Sequence, residues 1–133
     1  MTEPNYEARI LVVDDEPMNV LVISELLKIN KVSYESSNSG LKALRMIKDR
    51  IKNRVPLYQL IFMDYSMPIL DGLQTSVKIK KLCNKKGIDS PKIVCLTAYT
   101  EPQFRQKALD AGMDDFMTKP ITEEKLLASI DFF

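Results

Sequence analysis

Five short apolar runs alternate with five segments of helical pattern, and this alternation restricts the fold more than any other feature of the chain. The runs are ARILVV (8–13), KVSYES (31–36), YQLIFM (58–63), KIVCLT (92–97) and DDFMT (114–118). The first, third and fourth are nearly continuous in apolar, partly β-branched residues, as parallel strands covered on both faces are. Alternation of this length predicts one parallel sheet with helices on both faces. Right-handed crossovers then leave a doubly wound α/β sheet, whose ligand site lies outside the carboxyl ends of the strands.

The intervening segments carry helix period and end signals. Residues 17–29 open on Pro17, which suits a first turn. Met18, Leu21, Val22 and Leu26 form one stripe there and Val20, Ile23 and Leu27 another, which predicts a well-buried helix. Residues 39–53 place Ala43, Leu44, Ile47 and Ile51 on one face. Residues 72–85 end in lysines (Lys78, Lys80, Lys81, Lys85, Lys86), read as a solvated face complementing a helix C-terminus. Residues 101–111 follow Thr100, a cap candidate, and stop at Gly112, which suits a left-handed position. Residues 123–132 follow Thr122 as cap, with Ile121 placed to staple onto Leu126.

Composition narrows the chemistry. The 133 residues suffice for one domain with one core. A net charge of +1 gives no support to nucleic-acid binding, and no run approaches a membrane span. The start, MTEPNYEARI, lacks the basic then apolar pattern of a secretion signal, so the expected location is the cytoplasm. Cys83 and Cys95 sit in apolar contexts without metal-type spacing and read as reduced interior thiols. The chain has no histidine and no tryptophan. Histidine-dependent triads and histidine zinc sites are thereby excluded, leaving carboxylates, lysines, hydroxyls and an added metal.

Those groups stand at the strand ends. Asp14-Asp15-Glu16 follows the first strand, Asp64 the third, Thr97 ends the fourth, and Lys119-Pro120 follows the fifth. Acids at neighbouring strand tips repel in a half-buried site, and one stays protonated unless cations compensate. A divalent cation together with Lys119 resolves the repulsion, and hard oxygen ligands without His or Cys point to Mg²⁺. A carboxylate beside Mg²⁺ and an ammonium can attack phosphorus, giving an aspartyl phosphate.

ILVVDDEPMN, LIFMDYSMPILDG, KIVCLTA and DDFMTKP resemble, in order and spacing, the signature blocks of response-regulator receiver domains. The resemblance runs from about Arg9 to the end, and its style is similar to receivers attached to hybrid histidine kinases. Asn38-Ser39-Gly40 and Gln59 depart from the usual pattern, both away from the phosphoryl site. The resemblance implies a flavodoxin-like, five-stranded parallel sheet of order 2-1-3-4-5 with five helices on two faces. It implies one receiver domain over 1–133, with 1–8 an N-terminal extension. Asp64 would be the phosphoacceptor. Asp15 and Asp64 would bind Mg²⁺ directly, Asp14 through water, and Ser66 through its carbonyl. Lys119 would contact the phosphoryl group, Thr97 would be the switch hydroxyl and Phe116 the switch aromatic. The Lys119-Pro120 bond would be cis. Output would lie on residues 101–132, and a histidine kinase or histidine phosphotransfer protein would be the donor.

The implied function is a phosphorelay switch that catalyses only its own phosphorylation and dephosphorylation, without nucleic-acid or membrane contact by this domain. The alternative is a Mg²⁺-dependent phosphatase of haloacid-dehalogenase type. That class needs its nucleophile and a second acid one residue apart at the first strand, whereas Asp14 and Asp15 are adjacent. A flavodoxin-like flavin site is disfavoured because the acids after strand one would repel phosphate. Ser66 and Tyr99, two residues after Asp64 and Thr97, flank the path of a hydrolytic water. Either the Tyr99 ring covers the phosphoryl group and slows its loss, or it packs on the surface.

Overall fold

The computed structural model describes residues 3–130. Its strands are β1 (Ile10–Val13), β2 (Tyr34–Ser37), β3 (Leu60–Asp64), β4 (Lys92–Thr97) and β5 (Asp115–Thr118). The helices are α1 (Pro17–Ile29), α2 (Gly40–Lys52), α3 (Gly72–Lys86), α4 (Pro102–Asp110) and α5 (Glu123–Ile130). All strand pairs are parallel, in the order β2-β1-β3-β4-β5. Direction of winding reverses between β1 and β3, so the carboxyl ends of these two strands border the switch point.

Side chains alternate between the two faces of the sheet, as strand geometry requires. Leu11, Val13, Ile61, Met63, Ile93 and Cys95 pack on one face with Ala43, Ile47, Ile79 and Ala108, so α2, α3 and α4 cover it. Ile10, Val12, Leu60, Phe62, Val94 and Leu96 pack on the other with Ile23, Leu27 and Leu126, so α1 and α5 cover that one. The continuous apolar runs are thus two interleaved faces, each needing its own helical layer.

Ser39 caps α2, its hydroxyl accepting the Lys42 N–H at 3.1 Å. Thr122 accepts the Lys125 N–H at 3.3 Å, and Ile121 joins Leu126 in one apolar cluster. Gly112 follows α4 with φ 92°, the left-handed turn anticipated there. The Lys119-Pro120 bond is cis. Both cysteines are free and buried, and burial pushes the Cys95 thiol up to about 12. Among the described residues no helix is long and apolar enough to cross a membrane.

Several local expectations need correction. β2 begins at Tyr34 rather than residue 31, because Lys31 and Val32 still bond back to the end of α1 and Lys31 has φ 58°. Thr100 is not a cap. The N-cap of α4 is Glu101, without a side-chain bond. Lys80 is not simply solvated, since its ammonium reaches Asp114 at 3.3 Å and the Pro91 carbonyl at 3.2 Å. The last two residues expected in α5, 131 and 132, lie outside the described residues.

The largest departure is α1. Ile23 and Leu27 are fully buried, but Met18, Leu21 and Val22 are 62%, 50% and 42% exposed. Leu26 packs with Ile23 and Leu27 toward the sheet, whereas Met18, Leu21 and Val22 have no layer above them among the described residues.

The segment before β1, read as an extension, is strapped to the amino end of the sheet. Arg50 is 1% exposed and donates to the carbonyls of Asn5 and Pro56 and to the Glu35 carboxylate, all at 2.9–3.0 Å. Its guanidinium lies 3.8 Å from the Tyr58 ring centroid, and Tyr58 donates to Glu35 at 2.6 Å. Tyr6 donates to Asp49 at 2.6 Å.

Candidate functional site

β1 ends on a buried apolar run, and the next residue, Asp14, is held by its N–H to the Ser37 carbonyl at 3.1 Å. Its carboxylate is fully buried. Oδ1 accepts the Glu16 N–H at 2.9 Å, while Oδ2 has no hydrogen-bond partner. Asp64 closes β3 and is 3% exposed. Lys119, from the loop after β5, donates to Asp64 Oδ1 at 3.0 Å and lies 3.9 Å from Asp14 Oδ2. Asp15 is exposed at the rim. Carboxylate oxygens of Asp14, Asp15 and Asp64 lie within 4.8 Å of one another.

Three acids facing one ammonium leave the cluster short of positive charge. Burial pushes the Asp64 carboxyl up to about 6, the Lys119 hydrogen bond pulls against that rise, and the Asp14 charge adds to it. The unpartnered Oδ2 of Asp14 marks where a further positive group would be satisfied. An all-oxygen donor set of this size fits a hard divalent cation, with Mg²⁺ the match for one or two carboxylates plus water.

The approach of α3 to this site depends on Gly72. A Cβ there would stand 2.2 Å from the Asp64 carbonyl oxygen, so only glycine lets the helix begin against the acceptor's backbone. The Gly72 N–H donates to the Tyr65 carbonyl at 3.2 Å. Asp71 and Gln74 form a capping box that fixes the first turn of α3.

Thr97 ends β4, one position beyond Leu96, the register partner of Asp64. It is 5% exposed, its hydroxyl accepts the Tyr99 N–H at 2.9 Å, and its carbonyl accepts the Lys119 N–H at 2.9 Å. Phe116 is half-buried, with the Arg105 guanidinium 4.6 Å from its ring centroid. Ser66 is exposed in the loop after Asp64. Asp14, Asp15, Asp64, Thr97 and Lys119 therefore gather at one rim, as their strand positions predict.

No periodicity or motif announces the aromatic cluster beside them. Tyr99 stacks on Phe104, with ring centroids 4.5 Å apart and 17° between planes. Tyr65 meets both edge-on, at 5.5 and 5.9 Å. The Tyr99 ring is thus engaged sideways with α4. Another feature without a sequence signal is Ile69, 90% exposed with φ 69°, a left-handed conformation costly for a β-branched residue.

Comparison with known proteins agrees with this arrangement. Residues 10–131 match the family model of the response regulator receiver domain. Hybrid signal transduction histidine kinase L of Dictyostelium discoideum is 35% identical over 118 residues, which cover 89% of this chain and 7% of that protein. The chain thus spans less than a tenth of the length of that relative. The receiver domain of Saccharomyces cerevisiae Ssk1, solved with the histidine phosphotransfer protein Ypd1, superposes with a TM-score of 0.83 at 28% identity, covering 92% of this chain and 86% of that one. The receiver domain of the Arabidopsis thaliana histidine kinase CKI1, solved with Mg²⁺ and BeF₃⁻, gives 0.79 at 27% identity, covering 96% and 91%.

Proposed function

The chain belongs to the response regulator receiver domain family, and from that premise we propose that Asp64 accepts a phosphoryl group from a phosphohistidine and thereby sets the state of the face formed by α4, β5 and α5. The observation that carries this reading is the buried Asp64 carboxylate, bonded to Lys119 at 3.0 Å and clustered with Asp14 and Asp15. An Asp64 oxygen attacks phosphorus in line, forming the O–P bond as the N–P bond of the donor breaks. The departing imidazole nitrogen takes its proton from solvent. Lys119 follows the charge onto the phosphoryl oxygens.

Asp14, Asp15, Asp64 and the Ser66 carbonyl would hold Mg²⁺. When bound, that ion supplies neutralisation of the developing charge on the equatorial oxygens. Thr97 answers the new phosphoryl group with its hydroxyl, and Phe116 turns into the space this opens. Two pre-existing conformations are thereby rebalanced. The only chemistry in this reading is the domain's own phosphorylation and dephosphorylation. A haloacid-dehalogenase-type phosphatase gains nothing from the geometry, because its nucleophile belongs on the first strand and Asp64 ends the third.

The 133 residues contain no histidine, so the donor imidazole comes from outside them. Asp64 is recessed, and a donor must approach over the rim. The elements leaving β1, β3 and β4 there expose Met18, Leu21, Val22, Ile69 and Tyr99. That apolar border suits a folded protein donor, a histidine kinase or a histidine phosphotransfer protein such as the one solved with Ssk1. A cytoplasmic location accompanies this reading.

Incubation with acetyl phosphate and Mg²⁺, followed by intact-mass measurement, tests it. Wild type gains one phosphoryl group and Asp64→Asn gains none. Undiminished uptake by the variant would overturn the assignment.

A further inference from the structure

We propose that two adjacent residues of α4, Phe104 and Arg105, latch that helix to both moving parts of the switch, and that phosphorylation of Asp64 opens the two latches together. The proposal rests on the reading of Asp64 as acceptor and of Thr97 and Phe116 as the groups that respond.

The first latch runs through Tyr99. The Thr97 hydroxyl accepts the Tyr99 N–H at 2.9 Å, and the Tyr99 ring stacks on Phe104 at 4.5 Å. Tyr65 braces both rings edge-on. Its backbone is held, because it follows Asp64 directly and donates its N–H to the Leu96 carbonyl at 2.9 Å. When the Thr97 hydroxyl moves toward a phosphoryl group on Asp64, it carries the Tyr99 N–H with it or releases it. Either outcome shifts the Tyr99 ring against a Tyr65 that stays in place, and the stack with Phe104 is lost.

The second latch is the Arg105 guanidinium, 4.6 Å from the Phe116 ring centroid. Inward rotation of Phe116 takes the ring from under the cation and leaves Arg105 without its partner face.

Little else secures α4. It has nine residues, no side-chain cap at its N-terminus, and Ala108 as its one buried residue. Leu109 is 48% exposed. A short helix with so little buried surface belongs to the low-stability end of a domain. Its first turn therefore depends on the aromatic stack and the cation–ring contact, both tied to the switch. The same two contacts explain how a group at Asp64 reaches a helix that does not touch it through a strand ladder.

The test is backbone hydrogen exchange of α4, with α2 as internal reference, in Mg²⁺ with and without beryllofluoride. In wild type, beryllofluoride speeds exchange in α4 and leaves α2 unchanged. In Phe104→Leu/Arg105→Gln, α4 exchanges roughly fivefold faster without beryllofluoride, the scale expected for loss of an aromatic contact, and gains nothing further on its addition. Phe104→Tyr keeps the ring and retains wild-type protection. Acetyl phosphate still modifies all three proteins. The latch is refuted by wild-type α4 protection in the double variant, by a full beryllofluoride response in it, or by loss of protection in Phe104→Tyr. Phosphoryl uptake without any change in α4 refutes the latch alone. No uptake by wild type refutes the reading of Asp64 beneath it.

Discussion

Replacing Asp64 by asparagine should stabilise the metal-free protein at neutral pH while abolishing its chemistry. The rise of the Asp64 carboxyl from 3.8 to about 6 means that holding it charged in the fold costs about 3 kcal/mol above pH 6. That figure already includes the Lys119 hydrogen bond, which acts in the opposite sense. The asparagine amide must find partners among the same groups, at a cost of about 1 kcal/mol. The net gain is about 2 kcal/mol, or roughly 5–10 °C in Tm for a domain of this size. The sign with pH follows from proton binding. The folded protein holds the Asp64 proton more tightly than the unfolded chain, so the contribution of Asp64 to wild-type stability is greatest below pH 4 and is lost as pH rises through about 6. The advantage of Asp64→Asn should therefore vanish near pH 4. Mg²⁺ should recover about 1.4 kcal/mol in wild type at ten times its Kd, and less in the variant. Urea titrations in EDTA at pH 4 and pH 7, repeated with Mg²⁺, measure each quantity. A variant no more stable than wild type at pH 7, or an advantage that persists at pH 4, would refute the argument that the charged cluster is an uncompensated load.

Gly72→Ala should destabilise by about 1–3 kcal/mol in urea and slow phosphoryl uptake as well, because its Cβ would meet the Asp64 carbonyl at 2.2 Å; a wild-type uptake rate would show that the acceptor does not depend on this contact. Ile69→Gly should gain about 1 kcal/mol, seen as a higher urea midpoint, since the side chain is 90% exposed and φ is 69°. An unchanged or lower midpoint would mean that the backbone strain at Ile69 is smaller than the entropy that glycine adds to the unfolded chain. Arg50→Met should cost about 3 kcal/mol in the same assay, because Glu35 and the Asn5 and Pro56 carbonyls lose their buried donor; a neutral result would show that the cluster only offsets its own desolvation.

Most of what is legible in advance is local in sequence, although the start of β2 and the cap of α4 are not. β4 is Lys92–Thr97 and α1 Pro17–Ile29, as the apolar run and the proline-led helical pattern mark them. The acids and the lysine converge because each terminates a strand of a parallel sheet, and such a sheet aligns all its carboxyl ends. The exposed stripe of α1 was not legible, since burial depends on which helices share a face. With α1 and α5 alone on theirs, the outer residues of α1 are left uncovered. The Tyr65–Tyr99–Phe104 cluster and the burial of Arg50 have the same cause. They join residues far apart in sequence, so no periodicity announces them. Arg50 even falls on the buried face of α2 beside Ile47, where a charge reads as an interruption.

The strap at the amino end of the sheet gives the molecule a fixed handle. Arg50 grips Asn5, Asp49 grips Tyr6, and both lie at the end of the strands opposite Asp14 and Asp64. A tether placed ahead of Asn5 would leave from that end. A chain immobilised there on a sensor surface should present its acidic rim outward, open to a soluble partner, with no tether crossing the path to Asp64.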